Sequence, residues 1–389
     1  MRRSTAADVR AEAAVAAGAA GVAGIGLSRS AGPRRTGTQQ PPGRSGARPN
    51  RTGTQLSDRA LAWAELLRLP ALFTVPGDAL AGAAAISAPL NTRTLLAMGS
   101  SLCLYEAGMA LNDWADRDED AVERPHRPLP SGRIHPAAAL GAACALTGAG
   151  LSLAARAGRP ALAVAVPLAA TVWAYDLALK HTPAGPAAMA TARGLDLLLG
   201  AAAVGGPDTD VSQGGGGVAG LGVAVRGGDV DSARLPALPG PGSRLRQALP
   251  SAALLSAHTL AVTTVSRHET RGGSPWVPLA ALATTGVLAR LLTRERTRPD
   301  TTLPPADRTD GTLRTALATA YATTAARPYF HATLNPSPPL TQRAVTGGIR
   351  ATIPLQAALS ARSGATATAV LTAALAPLAA RFTRRVSVT

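Results

Sequence analysis

Apolar and polar positions fall in long blocks along this chain rather than in short alternation. From about Leu69 onward, apolar runs recur near Ala71–Ala88, Thr94–Leu111, Pro136–Ala155, Pro160–Leu179, Pro186–Val204, Leu249–Ser266, Trp276–Leu292 and Leu313–Leu334. A longer region, Ala344–Ala380, is interrupted at Arg362–Gly364 and reads as one span with a re-entrant piece or as two spans. About 20 apolar helical residues cross a bilayer core. The pattern therefore predicts an all-α fold, a polytopic transmembrane helical bundle of nine or ten spans.

The polar blocks divide the chain. Residues 1–57 are rich in Arg, Gly, Pro and Thr and read as a disordered extension, because they offer too little apolar surface to bury. Within them Ala11–Leu27 follows Arg2 and Arg3 and mimics a signal peptide, but its Ala/Gly core is weak, and a disordered extension or a start placed too early accounts for it better. Residues 58–389 form the predicted bundle, with a low-complexity loop insert at 205–248 that contains the run Gly214–Gly217.

Composition agrees with a membrane bundle. Charged residues make up only 16% of the chain, where soluble proteins carry about a quarter. Ala, Gly, Ser and Thr dominate, and these are the residues through which membrane helices pack. The net charge of +16 raises the question of nucleic acid, but the arginines sit in the tails and between apolar runs rather than in one patch with interleaved aromatics, so no nucleic-acid partner is expected. Arginine far exceeds lysine, as in the proteins of a GC-rich bacterial genome. Cys103 and Cys144 lie in apolar runs and offer neither zinc spacing nor an evident disulfide. Basic residues in short loops set orientation. The loop after the second span carries Arg117, Arg124, Arg127 and Arg133, which places it on the inner face, toward the cytoplasm. The segment with Arg294, Arg296, Arg298 and Arg308 disagrees with that assignment.

The strongest chemical signal is Asn112-Asp113-Trp114-Ala115-Asp116-Arg117-Asp118-Glu119-Asp120. On a helix turning about 100° per residue, Asn112, Asp113, Asp116 and Asp120 share one arc and Asp118 points away. Crowded carboxylates repel, and a divalent cation relieves them; magnesium takes oxygen ligands and bridges carboxylates to substrate phosphates. The plainer reading is a solvated acidic turn at a helix end. Next comes Arg124-Pro125-His126-Arg127-Pro128-Leu129-Pro130-Ser131-Gly132-Arg133, a proline-stiffened loop whose arginines suit phosphate oxygens.

This pair of segments resembles the first Asp-rich motif of the UbiA-type intramembrane prenyltransferases. Tyr175-Asp176-Leu177-Ala178-Leu179-Lys180 is similar to that family's Tyr and Lys motif, and Leu67-Arg68-Leu69-Pro70 through Thr74-Val75-Pro76-Gly77 to its first span. The Lys180–Pro186 run and Val265–Glu269 resemble the EboC-like bacterial sub-branch. The resemblance implies a bundle of about nine helices around a membrane cavity. It implies that Asp113, Asp116 and Asp120 hold Mg2+ and diphosphate, that Lys180 contacts diphosphate, and that a prenyl group passes to an acceptor. Asn112 joins these as a catalytic candidate; Arg68, Arg124, Arg127, Tyr175, Arg193, Asp196, Arg267 and Glu269 are candidates for substrate binding. The chain departs from the family at Ser266–Gly273, where a second Asp-rich motif is replaced by the single acid Glu269 with Arg267 and Arg271. A non-enzymatic membrane protein that binds isoprenoid diphosphate without turning it over is the alternative. The acceptor stays open between an aromatic ring, a sugar or polyol phosphate and another lipid.

Charges inside apolar runs are costly and therefore candidates in their own right. They are Asp78, Glu106, Arg350 and the Arg193/Asp196 couple, whose i,i+3 spacing predicts a pair. His258 reads as a packing residue. Tyr329, His331 and Asn335 close the eighth run.

Overall fold

The computed structural model describes residues 51–68, 73–204, 241–269, 273–294 and 308–386. Among these, helix is the only regular secondary structure. In order the helices are α1 (Arg51–Leu66), α2 (Pro76–Ala85), α3 (Thr92–Ala115), α4 (Arg117–Glu123), α5 (Pro136–Ala157), α6 (Arg159–Ala174), α7 (Gly185–Val204), α8 (Pro241–Ser266), α9 (Trp276–Thr293), α10 (Arg308–Leu334), α11 (Pro338–Arg362) and α12 (Thr366–Val386). A five-residue π-turn, Tyr175–Leu179, continues α6.

Local sequence explains several boundaries. Asn91 caps α3 through a reciprocal pair with Thr94: its side chain accepts from Thr94 N at 3.1 Å, and Asn91 N donates to Thr94 Oγ1 at 3.2 Å. Pro136 and Pro160 open α5 and α6 at positions that need no amide donor. Inside the spans, hydroxyls bond back to carbonyls one turn earlier, as Thr147 does to Ala143 and Thr259 to Leu255. That satisfies them where no water is at hand.

Among the described residues, six helices are long and apolar enough to cross a membrane: Thr92–Ala115, Pro136–Ala157, Arg159–Leu179, Gly185–Val204, Gly242–Ser266 and Trp276–Thr293. The remaining predicted runs are helical but shorter or more polar. The first shrinks to the ten residues of α2. α10 carries Arg314 and Arg327, and α11 carries Arg343, Arg350 and Arg362. The interruption at Arg362–Gly364 divides α11 from α12. Helix α1 begins at Arg51, inside the stretch whose composition suggests an extension, and α8 begins at Pro241, inside the predicted insert. Residues 1–50, 69–72, 205–240, 270–272, 295–307 and 387–389 lie outside the described residues, and with them Arg271, Arg296 and Arg298.

Helices α3 and α7 stand at the centre. In each, 61% of the most apolar stretch is buried, against 22% in α5 and 28% in α9, whose apolar side chains face outward. One core cluster joins α2 and α7 to α8–α11, through Leu197, Leu255, Leu292, Tyr321 and Leu355. A second joins α2 and α7 to α3, α5 and α6, through Leu104, Ala154, Leu168 and Leu199. Helices α2 and α7 belong to both because they cross almost backbone to backbone. A Cβ at Gly82 would run into the Leu197 carbonyl, and one at Gly200 into the backbone of Ala79.

Candidate functional site

The acidic segment begins on α3 and crosses into α4. Asp116 caps the junction, yet one-turn hydrogen bonds run through it: Asp116 N to Asn112 O at 3.0 Å and Asp120 N to Asp116 O at 2.8 Å. The helical face expected from the spacing therefore survives the break. Asp113, Asp116 and Asp120 are buried, whereas the Asp118 side chain is 88% exposed and meets only Arg117.

Each buried carboxylate holds a basic group. Arg68 Nη2 donates to Asp113 Oδ1 at 2.9 Å. Buried Lys180 donates to Asp116 Oδ1. Arg127 Nη1 donates to Asp120 Oδ2 at 2.7 Å and also stands 3.5 Å from Asp113 Oδ1. Arg124 lies 3.3 Å from Asp120 Oδ1. The expected acids and the expected bases thus meet in one mouth, interleaved as a network. Arg133 and Arg117 stand outside it: Arg133 reaches Glu65 at 2.7 Å and Arg117 lies over the Trp114 ring.

Lys180 reaches this mouth through the π-turn. Its amide bonds to Tyr175 O at 2.9 Å, five residues back. The extra residue re-aims the end of the helix, a common device at functional sites. Asp176 on the same turn is buried beside Lys180, Asp116 and Asp113. Tyr175 is buried on it as well. Two further groups at the mouth, Glu119 and His181, are not among the residues expected to hold metal or substrate. Burial beside Asp116 and Glu123 pushes the Glu119 carboxyl up to about 7. Glu119, Asp116 and His181 present one ligand atom each, all within 4.8 Å of one another. Asn112 is buried with its side-chain nitrogen lacking a hydrogen-bond partner.

Behind the mouth a cavity of about 150 Å³ runs between α3, α6, α7, α8 and α11. Its walls include Leu104, Met109, Leu168, Val172 and Val262, and its inner end carries Arg193, Asp196 and His258. Here the expected pairing is corrected. Arg193 does not bond Asp196, its neighbour on the helix; its Nη1 lies 3.0 Å from Asp78 Oδ2, across the α2–α7 crossing. Gln356 Nε2 donates to the other oxygen of Asp78 at 2.6 Å and to Thr74 O at 2.8 Å. Asp78 is the more attractive partner because the crossing brings it up against α7 and buries it completely. Asp196 lies against Asp78 and Ser101, with Oδ1 lacking a hydrogen-bond partner. Both oxygens of Glu106 are likewise buried without one. His258 is a packing residue, as its sequence setting suggests: it bonds Gly348 O at 3.0 Å and Tyr321 at 3.2 Å.

The loop after α8 meets the mouth from the far side. Arg267 Nη1 donates to Thr182 O at 2.5 Å. Glu269 is buried, and burial pushes its carboxyl up to about 7.

The profile described as the UbiA prenyltransferase family matches residues 71–303. The digeranylgeranylglyceryl phosphate synthase of Methanopyrus kandleri is 35% identical over 127 residues, 31% of this chain and 45% of that protein. That of Methanothrix thermoacetophila is 37% identical over 130 residues, 31% of this chain and 49% of that protein. The chain thus spans about half the length of these relatives. Among solved structures, the apo structure of a UbiA homolog from Aeropyrum pernix K1 aligns with a TM-score of 0.49 and 19% identity, covering 74% of this chain and 95% of that one.

Proposed function

Because the chain belongs to the UbiA prenyltransferase family, we propose that it moves an isoprenyl group from a prenyl diphosphate to a second substrate inside the membrane. The observation that carries this reading is the mouth: Asp113, Asp116 and Asp120 interleaved with Arg68, Arg124, Arg127 and Lys180 at the head of an apolar cavity. A diphosphate needs cations in just such a place, and an isoprenyl tail needs the apolar space behind.

Arg68, Arg124, Arg127 and Lys180 take the diphosphate oxygens and stabilise the charge that grows on them as the C–O bond breaks. Asn112, with its unpartnered buried nitrogen, supplies a further donor. The three aspartates fit Mg2+: they are buried at one mouth and offer the hard oxygen donors that this ion prefers. Bound there, Mg2+ would supply further neutralisation of the leaving group. Asp176 and Tyr175 position Lys180 through the π-turn. The dry wall formed by Leu104, Met109, Leu168 and Val172 holds the tail and keeps water from the allylic carbon. Arg193 and Asp196 face the inner end, and Arg267 braces the Lys180 turn through Thr182. Arginines at the mouth support a cytoplasm-facing site in a bacterial cell membrane. The relatives' name supports a polyol phosphate among the acceptor classes. The Lys180–Pro186 and Val265–Glu269 segments support an EboC-like placement within the family.

One observation favours a second reading, binding without turnover. The described part of the loop after α8 offers a single acid, Glu269, and its Arg267 is turned to Thr182. Diphosphate release from geranylgeranyl diphosphate by purified protein in detergent separates the two. We expect release with magnesium, none with EDTA, and none from Asp116→Ala. Binding without release across several prenyl lengths would favour the second reading.

A further inference from the structure

The mouth carries a donor set that reaches beyond the three aspartates of the motif. Asp116 sits at the α3–α4 junction, Glu119 follows it within α4, and His181 arrives from the turn beyond Lys180. That turn is fixed on both sides. Thr182 N bonds Leu179 O at 2.9 Å, and the Thr182 carbonyl accepts from Arg267 at 2.5 Å. One ligand atom from each of the three residues lies within 4.8 Å of the others.

We propose that Asp116, Glu119 and His181 form a second cation position, a mixed nitrogen–oxygen site for a divalent first-row transition ion of the Mn2+ or Fe2+ type. Donors about 2.1 Å from a shared ion stand about 3–3.5 Å apart. Side-chain rotation of about an ångström therefore closes the triangle. Lys180 occupies Oδ1 of Asp116, and the carboxylate has a second oxygen to offer. The imidazole gives the site its selectivity. Magnesium and calcium take oxygen, whereas imidazole suits iron, nickel, copper and zinc; Mn2+ also suits carboxylates, and as the first of the same transition series it serves as the paramagnetic probe of the mixed set. His181 is exposed, so solvent reaches this side of the mouth. The position shares Asp116 with the proposed magnesium set and places the second ion on the side where Lys180 and Arg267 enter. An ion there would add charge next to the leaving diphosphate; that role rests on the transferase reading, but the binding itself does not.

The test uses Mn2+ as the probe on the full chain in detergent, with any affinity tag removed. Titration followed by electron paramagnetic resonance gives the affinity, and pulsed measurements give the coupling of bound Mn2+ to nitrogen. Wild type is expected to show nitrogen coupling that persists under about a hundredfold excess of Mg2+. His181→Ala should lose the coupling and bind at least about tenfold more weakly. His181→Asp should bind Mn2+ without coupling and yield it to Mg2+. Matching elution and helical circular dichroism establish that the variants are folded. Absence of nitrogen coupling in wild type, or its survival in His181→Ala, overturns the proposal. Mn2+ bound through oxygens alone also overturns it while leaving the diphosphate reading standing. Nitrogen-coupled Mn2+ in a protein that releases no diphosphate supports it and counts against turnover.

Discussion

Arg68 donates to Asp113 across 2.9 Å from a backbone in the left-handed region, at φ 49°. A side chain there costs about 1 kcal/mol or more, so the surrounding contacts must hold it. Besides Asp113, the guanidinium reaches Met109 Sδ at 3.6 Å. The turn that follows α1 is thereby tied to the acidic motif by one side chain. In Arg68→Ala, Asp113 keeps only Arg127 at 3.5 Å. Affinity for geranylgeranyl diphosphate should fall by at least about tenfold, as loss of a charge-assisted contact predicts. Arg68→Lys restores the charge without the planar fork and should recover only part of it. Calorimetric titration reads both, and unchanged affinity in Arg68→Ala would remove Arg68 from the site.

Lys180 and Asp116 are both buried and bonded to one another. Removing one member of such a pair leaves an uncompensated charge and costs about 3–5 kcal/mol. Lys180→Met should therefore melt well below wild type in detergent. The double variant Lys180→Met with Asp116→Asn should regain most of that loss while releasing no diphosphate. Additive melting losses in the double variant would show that the two side chains are not coupled.

The α2–α7 crossing leaves no room for a side chain at Gly200. Gly200→Ala should destabilise by about 1–3 kcal/mol or prevent assembly, as overpacking does. Gly286, in the middle of α9, faces open space. Gly286→Ala should instead stabilise by about 0.5–1 kcal/mol, because alanine is the better helix former. Thermal melts of the two variants in one detergent test the contrast, and equal behaviour would contradict the close crossing.

Burial pushes the Glu269 carboxyl from 4.5 up to about 7. The folded protein therefore holds a proton that the unfolded chain gives up, and stability falls as pH rises between those values. The penalty is absent below about pH 4.5 and complete above about pH 7, where it amounts to about 3 kcal/mol. Glu269→Gln should flatten this part of the melting-temperature profile between pH 5 and 8. An unchanged slope would mean that another group carries it.

Much of the candidate site's geometry could be read from spacing alone. Asn112 to Asp120 repeat at helical intervals, and the structure keeps Asp113, Asp116 and Asp120 on the buried side even though the helix breaks at Asp116. The helices at the predicted runs were legible for the same reason, since length and apolarity are local properties. What was not legible depends on contacts between distant segments. Spacing paired Arg193 with Asp196, but the partner is Asp78, which only the α2–α7 crossing brings near. The π-turn gives no periodic signal, so the approach of Asp176 and His181 to the motif could not be read. The shortness of α2 was hidden by an apolar run that extends past the helix at both ends.

Asp78 also carries a consequence for how the protein is made. Its partners are Arg193 and Gln356, and a ribosome delivers them long after Asp78 itself. At ten residues, α2 is too short to cross a bilayer by itself, and it bears a carboxylate that is wholly buried in the finished protein. A nascent chain that has reached only α3 offers that carboxylate no cation from α7. We expect α2 to settle only after α7 has entered the membrane, with its seat complete when α11 arrives. Chains truncated before Gln356 would lack that final contact, leaving an incompletely held N-terminal segment for membrane proteases to recognise.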